Sequence, residues 1–103
     1  MSGKELEAGK RWVEHWFEEI AREFAAPTTL LARKDRWVEA NQPSKHAHCM
    51  AFDVELEGHL QRRELTLWDT DLEYAGAGEK AAQKRLERHI RDMLASYRGK
   101  RAQ

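Results

Sequence analysis

The fold is decided by the stretch Met50-Ala51-Phe52-Asp53-Val54-Glu55-Leu56-Glu57-Gly58-His59. Large apolar side chains alternate with small or acidic ones from Met50 to Glu57, which is the period of a half-buried β-strand. Gly58 and His59 suit the two central positions of a tight turn that has glycine first. The sequence therefore predicts an antiparallel hairpin in the middle of the chain.

The predicted turn also fixes the register of the hairpin, because it places Glu57 opposite Leu60. The opposed pairs are then Met50 with Leu67, Phe52 with Leu65, and Glu55 with Arg62. This register matches apolar with apolar residues on one face and acid with base on the other. We expect the second face, which carries Asp53, Glu55, Arg62 and Glu64, to stay open to solvent.

Two amphipathic helices are predicted around the hairpin. In the segment from Lys4 to Ala26, apolar residues recur at three- and four-residue spacing, and Pro27 then disfavours helical backbone in the residue before it. From Gly78 to Gln103 a second helix places on one face the residues Ala82, Leu86, Ile90, Met93 and Tyr97.

Residues 28–41 fit either a helix or a strand, and we favour extended structure at least from Arg36 to Asn41. The predicted fold is therefore α+β, with the order helix, two or three antiparallel strands, helix (αβββα). Both helices should cover one face of the sheet. A chain of 103 residues is expected to form a single domain over residues 1–103.

Composition narrows the classes of protein. The chain has 18 basic and 18 acidic residues, so its net charge of zero argues against indiscriminate coating of nucleic acid. No apolar run approaches the roughly 18 residues of a membrane span. The first residues lack an apolar signal region, and the single Cys49 has no internal disulfide partner. These features predict a cytoplasmic protein without a membrane partner.

Charge is distributed unevenly along this neutral chain. From Glu79 onward there are eight Lys or Arg residues against three Asp or Glu, whereas residues 47–78 contain two against seven. On the final helix, the face opposite the apolar stripe carries Lys80, Lys84, Arg88, Arg91 and Arg98. Such a stripe can hold phosphates, or it can be an ordinary solvated face whose cations gather toward a helix C-terminus.

The second half of the chain resembles double-stranded RNA-binding domains. The likeness covers about residues 37–94 and includes Trp37 to Pro43, His46, the alternating strand from Met50 to Gly58, and the segment Gly76-Ala77-Gly78-Glu79-Lys80-Ala81-Ala82. Gln83 stands where that family usually has a second lysine. The segment Leu86 to Arg91 is also similar to the final helix of ribosome-associated hibernation factors, although that fold normally opens with a strand.

The resemblance to double-stranded RNA-binding domains implies minor-groove contact from the loop at His46 and phosphate contact from Lys80. Such modules read A-form shape rather than sequence. Together with the basic stripe, it predicts a non-catalytic module that binds structured RNA and needs no cofactor. The candidate RNA-binding residues are Lys45, His46, Lys80, Lys84, Arg88 and Arg91.

Protein binding is the alternative function. The acidic open sheet face would repel phosphate but suits a basic protein partner, as in an inhibitor, immunity or adaptor protein, or a second copy of the chain in a homodimer. Trp12 lies at the edge of the first helix's apolar stripe, and Trp68 lies on the outward face of the hairpin. Aromatic residues in such positions favour protein interfaces.

The sequence gives weaker indications of a metal site or a catalytic site than of a binding surface. His46-Ala47-His48-Cys49 gathers potential metal ligands, and the predicted register sets the two histidines across from Asp71 and Asp69, but the separated ligand pairs of structural zinc sites are missing. The interpretation we favour is a loop and strand entrance without metal. No spaced set of acid, base and nucleophile points to an enzyme.

Overall fold

The computed structural model describes residues 3–38 and 46–99 and has the α+β architecture predicted from the sequence. In chain order the elements are α1 (Gly3–Phe24), β1 (Thr28–Leu30), α2 (Arg33–Arg36), β2 (Trp37–Val38), β3 (Ala47–Leu56), β4 (His59–Trp68), α3 (Asp69–Gly76) and α4 (Lys80–Ala95). Among the helices described, none combines the length and the apolar character needed to cross a membrane.

The sheet is antiparallel and has β3 at its centre. β4 pairs along the whole of β3 on one side, while β1 and β2 lie end to end along the other side. The third strand was therefore predicted correctly, but it is broken by the helical turn α2. Extended structure is confirmed at Trp37 and Val38 and is wrong at Arg36, whereas residues 39–41 lie outside the described residues.

The hairpin forms where it was predicted, with a different turn. Leu56 pairs with His59, so the turn residues are Glu57 and Gly58, with φ angles of 53° and 80°. Positive φ at both positions is typical of a type I′ turn, whose twist matches that of the flanking strands. The predicted glycine-first turn at Gly58 and His59 is therefore wrong.

The changed turn shifts the register by two residues. Met50 lies opposite Leu65, and Asp53 rather than Glu55 lies opposite Arg62. A shift of two keeps every side chain on its face, because successive residues of a strand point to opposite sides. The predicted core face is thus correct, and the acid–base pair forms between Asp53 Oδ1 and Arg62 Nε at 3.4 Å.

One apolar cluster joins the helices to one face of the sheet. Rings of Phe17 from α1 and Phe52 from β3 lie with their centroids 4.9 Å apart at its centre. The other buried members on the two long helices are Val13, Ile20, Ala21, Ala82, Leu86, Ile90 and Leu94. The strands add Met50, Val54, Leu65 and Leu67. The expectation that both long helices cover the same sheet face is confirmed.

Helix α3 was not predicted from the sequence. Its eight residues include Asp69 and Asp71 in the first turn and end at Gly76, a composition typical of a loop. A segment of this length offers too few turns for apolar periodicity to show. Leu72 and Ala75 are nevertheless buried, so α3 completes the core between β4 and α4.

Helices α1 and α3 cross at a point where their backbones touch. A β-carbon on Gly9 would overlap the carbonyl oxygen of Leu72, and one on Gly76 would overlap the carbonyl oxygen of Glu5. Only glycine permits this approach, since every other residue carries the missing carbon. The crossing fixes the position of α3 and therefore of the start of α4.

A polar network fastens the broken strand to α1. The Trp37 indole donates a hydrogen bond of 2.7 Å from Nε1 to Glu14 Oε2, and Arg36 Nη1 lies 3.0 Å from Glu14 Oε1. Lys10 Nζ sits 5.2 Å from the centroid of the Trp37 ring, within cation–π range. One carboxylate thus holds both residues at the junction of α2 and β2.

Substituting Gly9 by alanine should destabilise the protein even though alanine is the better helix former. The overlap with α3 is expected to cost about 1–3 kcal/mol, which exceeds the gain of about 1 kcal/mol from helix propensity. Urea unfolding followed by circular dichroism would measure the difference. Gly3→Ala is the matched control, because nothing lies within 4 Å of a β-carbon there. Equal stability of both variants would contradict the proposed crossing.

Candidate nucleic-acid interface

The outer face of α4 carries three free cations, which we call the α4 cations: Lys80, Lys84 and Arg88. All three side chains are exposed, and none has a hydrogen bond or ion pair with any other residue that the structure describes. They follow one another at a spacing of four residues, so their Cα atoms span about 12 Å of helix. These residues were predicted from the charge stripe, and the structure places them together.

Burial of the opposite side of α4 explains why these cations face solvent. Ala82, Leu86 and Ile90 are buried against the sheet and α1. Because residues are spaced at 100° around a helix, fixing these three inward turns Lys84 and Arg88 outward. The packing thus holds the helix in one orientation, and Lys84 and Arg88 already face solvent in the folded protein.

Arg91, also predicted in the stripe, is not free. Its Nη1 lies 3.0 Å from Glu23 Oε1 on α1, and its Nε donates a hydrogen bond of 3.0 Å to Glu87 Oε2. The hydrogen bond from Arg91 lowers the pKa of Glu23 below its usual value, and the same carboxylate, with Glu87, raises the pKa of Arg91. Arg91 therefore fastens α4 to α1.

The first turn of α3 contacts both His46 and α4. Asp69 Oδ2 lies 3.0 Å from His46 Nδ1, and Asp71 Oδ1 lies 3.1 Å from Arg85 Nη2. The two aspartates are neighbours on one helical turn, so His46 and Arg85 approach the same end of α3. Arg85 in turn adjoins Lys84 on α4. Lys45 lies outside the described residues, and its predicted role stays a prediction.

A groove runs between the edge of β4 and α4, and we call it the β4–α4 groove. Its volume is about 510 Å³. The lining residues are Glu64, Thr66, Leu67, Trp68, Asp71, Arg85, Leu86, His89 and Met93. His89 Nε2 lies 3.1 Å from the carbonyl oxygen of Thr66 and joins the helix to the strand edge. The groove could not be predicted from the sequence, because it depends on the observed register of the hairpin and on helix α3, and apolar periodicity specifies neither.

The two tryptophans predicted at interfaces differ in their surroundings. Trp68 is 48% exposed and lines the β4–α4 groove. Trp12 is half-buried against the core, with its ring centroid 6.0 Å from that of Trp16. Contact with the core explains why Trp12 is partly buried. The predicted role of Trp12 at a protein interface stays a prediction.

The sheet face away from the helices is open over only part of its length. Ala47, Cys49 and Ala51 of β3 point to that side and are buried. Cys49 Sγ lies 3.6 Å from Thr66 Oγ1. Of the four residues predicted for the open acidic face, Glu55 and Arg62 are exposed, and Asp53 and Glu64 are half-buried.

The histidine segment has ordinary partners. His46 contacts Asp69, and His48 lies opposite Leu67 rather than Asp69, because of the shifted register. Within residues 3–38 and 46–99, no group of three or more His, Cys, Asp or Glu side chains could hold a metal ion.

Comparison of the chain with protein-family models, with curated proteins and with solved structures found no match. Function is therefore inferred from the surface of the molecule.

The pairing of Arg91 can be tested by titration. The carboxyl of Glu23 should titrate below 4.5, its ordinary value, and Arg91→Ala should move its pKa back up. Because the folded pKa is lowered, the pair stabilises the fold above the ordinary carboxyl pKa and is lost as pH falls through the folded value. Carbon-detected NMR of the glutamate carboxyls measures the pKa of Glu23 in the unmodified protein and in the variant. Arg98→Ala, which removes only a weaker Coulombic contribution, should have a smaller effect. An unchanged Glu23 titration in Arg91→Ala would contradict the pairing.

Proposed function

We propose that this protein is a non-catalytic module that binds structured RNA through the α4 cations, with the His46 region beside them. The observation that carries the proposal is the contrast within α4: Lys80, Lys84 and Arg88 are exposed and have no ion-pair partner among the described residues, whereas Arg85 and Arg91 are paired with carboxylates. A neutral protein thus presents a local positive ridge. An anionic polymer with regularly spaced charges fits such a ridge.

The rigidity of α4 supports phosphate binding. Its inner side is buried, and it is tied to α1 by Arg91 and to α3 by Arg85. The α4 cations therefore do not have to be ordered by a folding transition when a ligand binds, which lowers the entropic cost of association.

The preference for RNA comes from the resemblance to double-stranded RNA-binding domains around His46 and Lys80. Modules of that kind read the 2′-hydroxyl groups and phosphates of an A-form duplex. Asp69 and Asp71, both in the first turn of α3, contact His46 and Arg85, so the same short helix connects the His46 region to α4. Duplex DNA is the natural comparison, since it lacks the 2′-hydroxyl.

Reversing the charge of the α4 cations should remove RNA binding. At about 1 kcal/mol for each of three charge-assisted contacts, Lys80→Glu with Lys84→Glu and Arg88→Glu is expected to weaken affinity by roughly 100-fold. For the unmodified protein, log affinity should fall against log salt concentration with a slope of about −2 to −3. Fluorescence anisotropy with a labelled RNA duplex over a salt series measures both quantities.

A matched control for this experiment is the triple variant Arg11→Glu, Arg33→Glu and Lys34→Glu. These three side chains are also exposed, and the change in net charge is the same, but they lie on α1 and α2. The control should retain most of the affinity. Equal losses in the two triple variants would show that only overall charge matters, and undiminished binding by the α4 variant would end the proposal.

Protein binding through the open sheet face is the second candidate function. Leu60 is 70% exposed at the hairpin end, on the same side of the sheet as Glu55. Leu60 matches the apolar centre of a protein interface, and Glu55, which has no ion-pair partner among the residues that the structure describes, matches its polar rim. Trp68 shares this side of the sheet, at the far end of β4.

If this face forms a homodimer, Leu60→Ser should shift the protein to monomer and leave stability within about 0.5 kcal/mol, because the side chain is exposed. Sedimentation equilibrium of the unmodified protein and the variant tests this. Tyr74→Ser is the control, since Tyr74 is 53% exposed but lies on α3. A monomer in the unmodified protein would rule out the homodimer.

A further inference from the structure

The β4–α4 groove is continuous with the surface of the α4 cations. Lys84 and Arg88 border a shallow depression of about 350 Å³ that is also lined by Arg85, His89 and Asp92. Arg85 and His89 line the β4–α4 groove as well. A ligand with one anionic group on Lys84 and Arg88 can therefore extend past these two shared residues into the groove.

The groove offers a mixed surface suited to a flat, partly polar ring. Leu67 and Leu86 are buried in its floor, and Met93 packs partly against the core beside them. Trp68 stands at its side with 48% of its surface exposed, whereas Phe17 and Phe52 at the centre of the core are fully buried. Exposed tryptophan beside an apolar floor provides a stacking platform for a nucleobase, and stacking of this kind tolerates any base.

Charge gives such a ligand an orientation. Glu64, Asp71 and Arg85 all line the groove, and Arg85 is paired with Asp71, so the remaining charge of Glu64 makes the groove the less favourable place for a phosphate. The positive charges of Lys84 and Arg88 attract a phosphate to the depression instead. A nucleotide consequently fits in one direction, with its backbone over α4 and its base in the groove.

We propose that the β4–α4 groove takes one unpaired base of a bound RNA, stacked on Trp68, while the adjoining phosphate rests on Lys84 and Arg88. This inference rests on the proposed RNA-binding function and adds the class of RNA: a duplex that carries a bulged nucleotide. Bases inside a perfect duplex are stacked on each other and cannot enter the groove. The protein should therefore prefer an interrupted duplex.

The experiment compares two RNAs that differ by one nucleotide: a perfect duplex of about 16 base pairs and the same duplex with a single bulged 2-aminopurine. Stacking on an aromatic side chain predicts about tenfold tighter binding of the bulged RNA to the unmodified protein. The fluorescence of 2-aminopurine should fall on binding, because its ring stacks on the indole. This second readout needs no variant.

Trp68→Ala should bind both RNAs equally, with the affinity and salt dependence that the unmodified protein has for the perfect duplex. Trp68→Phe should keep most of the preference, since it retains an aromatic face. Tyr74→Ala is the control, because this exposed aromatic residue lies on α3 and does not line the groove. It should leave the preference for the bulge unchanged.

The outcomes separate this inference from the proposed function. Salt-dependent binding of both RNAs with no preference for the bulge and no loss of 2-aminopurine fluorescence overturns the base site and leaves RNA binding intact. Failure of the unmodified protein to bind either RNA overturns both. A change of oligomeric state in Trp68→Ala, with the bulge preference retained, would assign the groove to a second copy of the chain and also overturn the base site.

Discussion

The contact of bare backbone between α1 and α3, at Gly9 and Gly76, is the constraint on which the rest of the arrangement depends. It presses α3 against α1 directly after β4 ends, so that α4 begins beside the sheet and returns along the edge of β4. Through Asp69 and Asp71 the same short helix also holds His46 and Arg85. If α3 were displaced, the apolar cluster, the β4–α4 groove and the direction of the α4 cations would change together.

Internal neutralisation explains how a protein without net charge keeps a positive surface. Glu23 on α1 forms an ion pair with Arg91, and Asp71 on α3 forms one with Arg85. Asp53 pairs with Arg62 across the hairpin. Exposed pairs of this kind contribute little to stability, typically under about 1 kcal/mol each. Their larger effect is on the shape of the electrostatic field, because they neutralise Arg85 and Arg91 and leave the α4 cations as a separate positive group.

Periodicity in the sequence was sufficient to predict the long helices, the hairpin and the faces that they bury, since burial imposes spacing that is visible in the chain. It was not sufficient for α3, whose acidic first turn and terminal glycine have the composition of a loop. The register was missed by two residues, because both candidate turns preserve the same faces and only backbone geometry separates them. The three α4 cations could be identified from spacing, but the capture of Arg91 by Glu23 joins residues 68 positions apart and depends on helix packing. The β4–α4 groove could not be predicted, because its shape depends on the hairpin register, on α3 and on the packing of α4 together.

The broken strand has a consequence for self-association. A long, continuous edge of a sheet is a template on which strands of other molecules can add, and this kind of growth leads to fibrils. In the described part of the chain, residues 3–38 and 46–99, the edge along one side of β3 consists of pieces three and two residues long, separated by the turn of helix that Glu14 anchors. Neither piece is long enough to guide an incoming chain. The interruption that made this region ambiguous in sequence thus protects the folded protein from polymerising along that border.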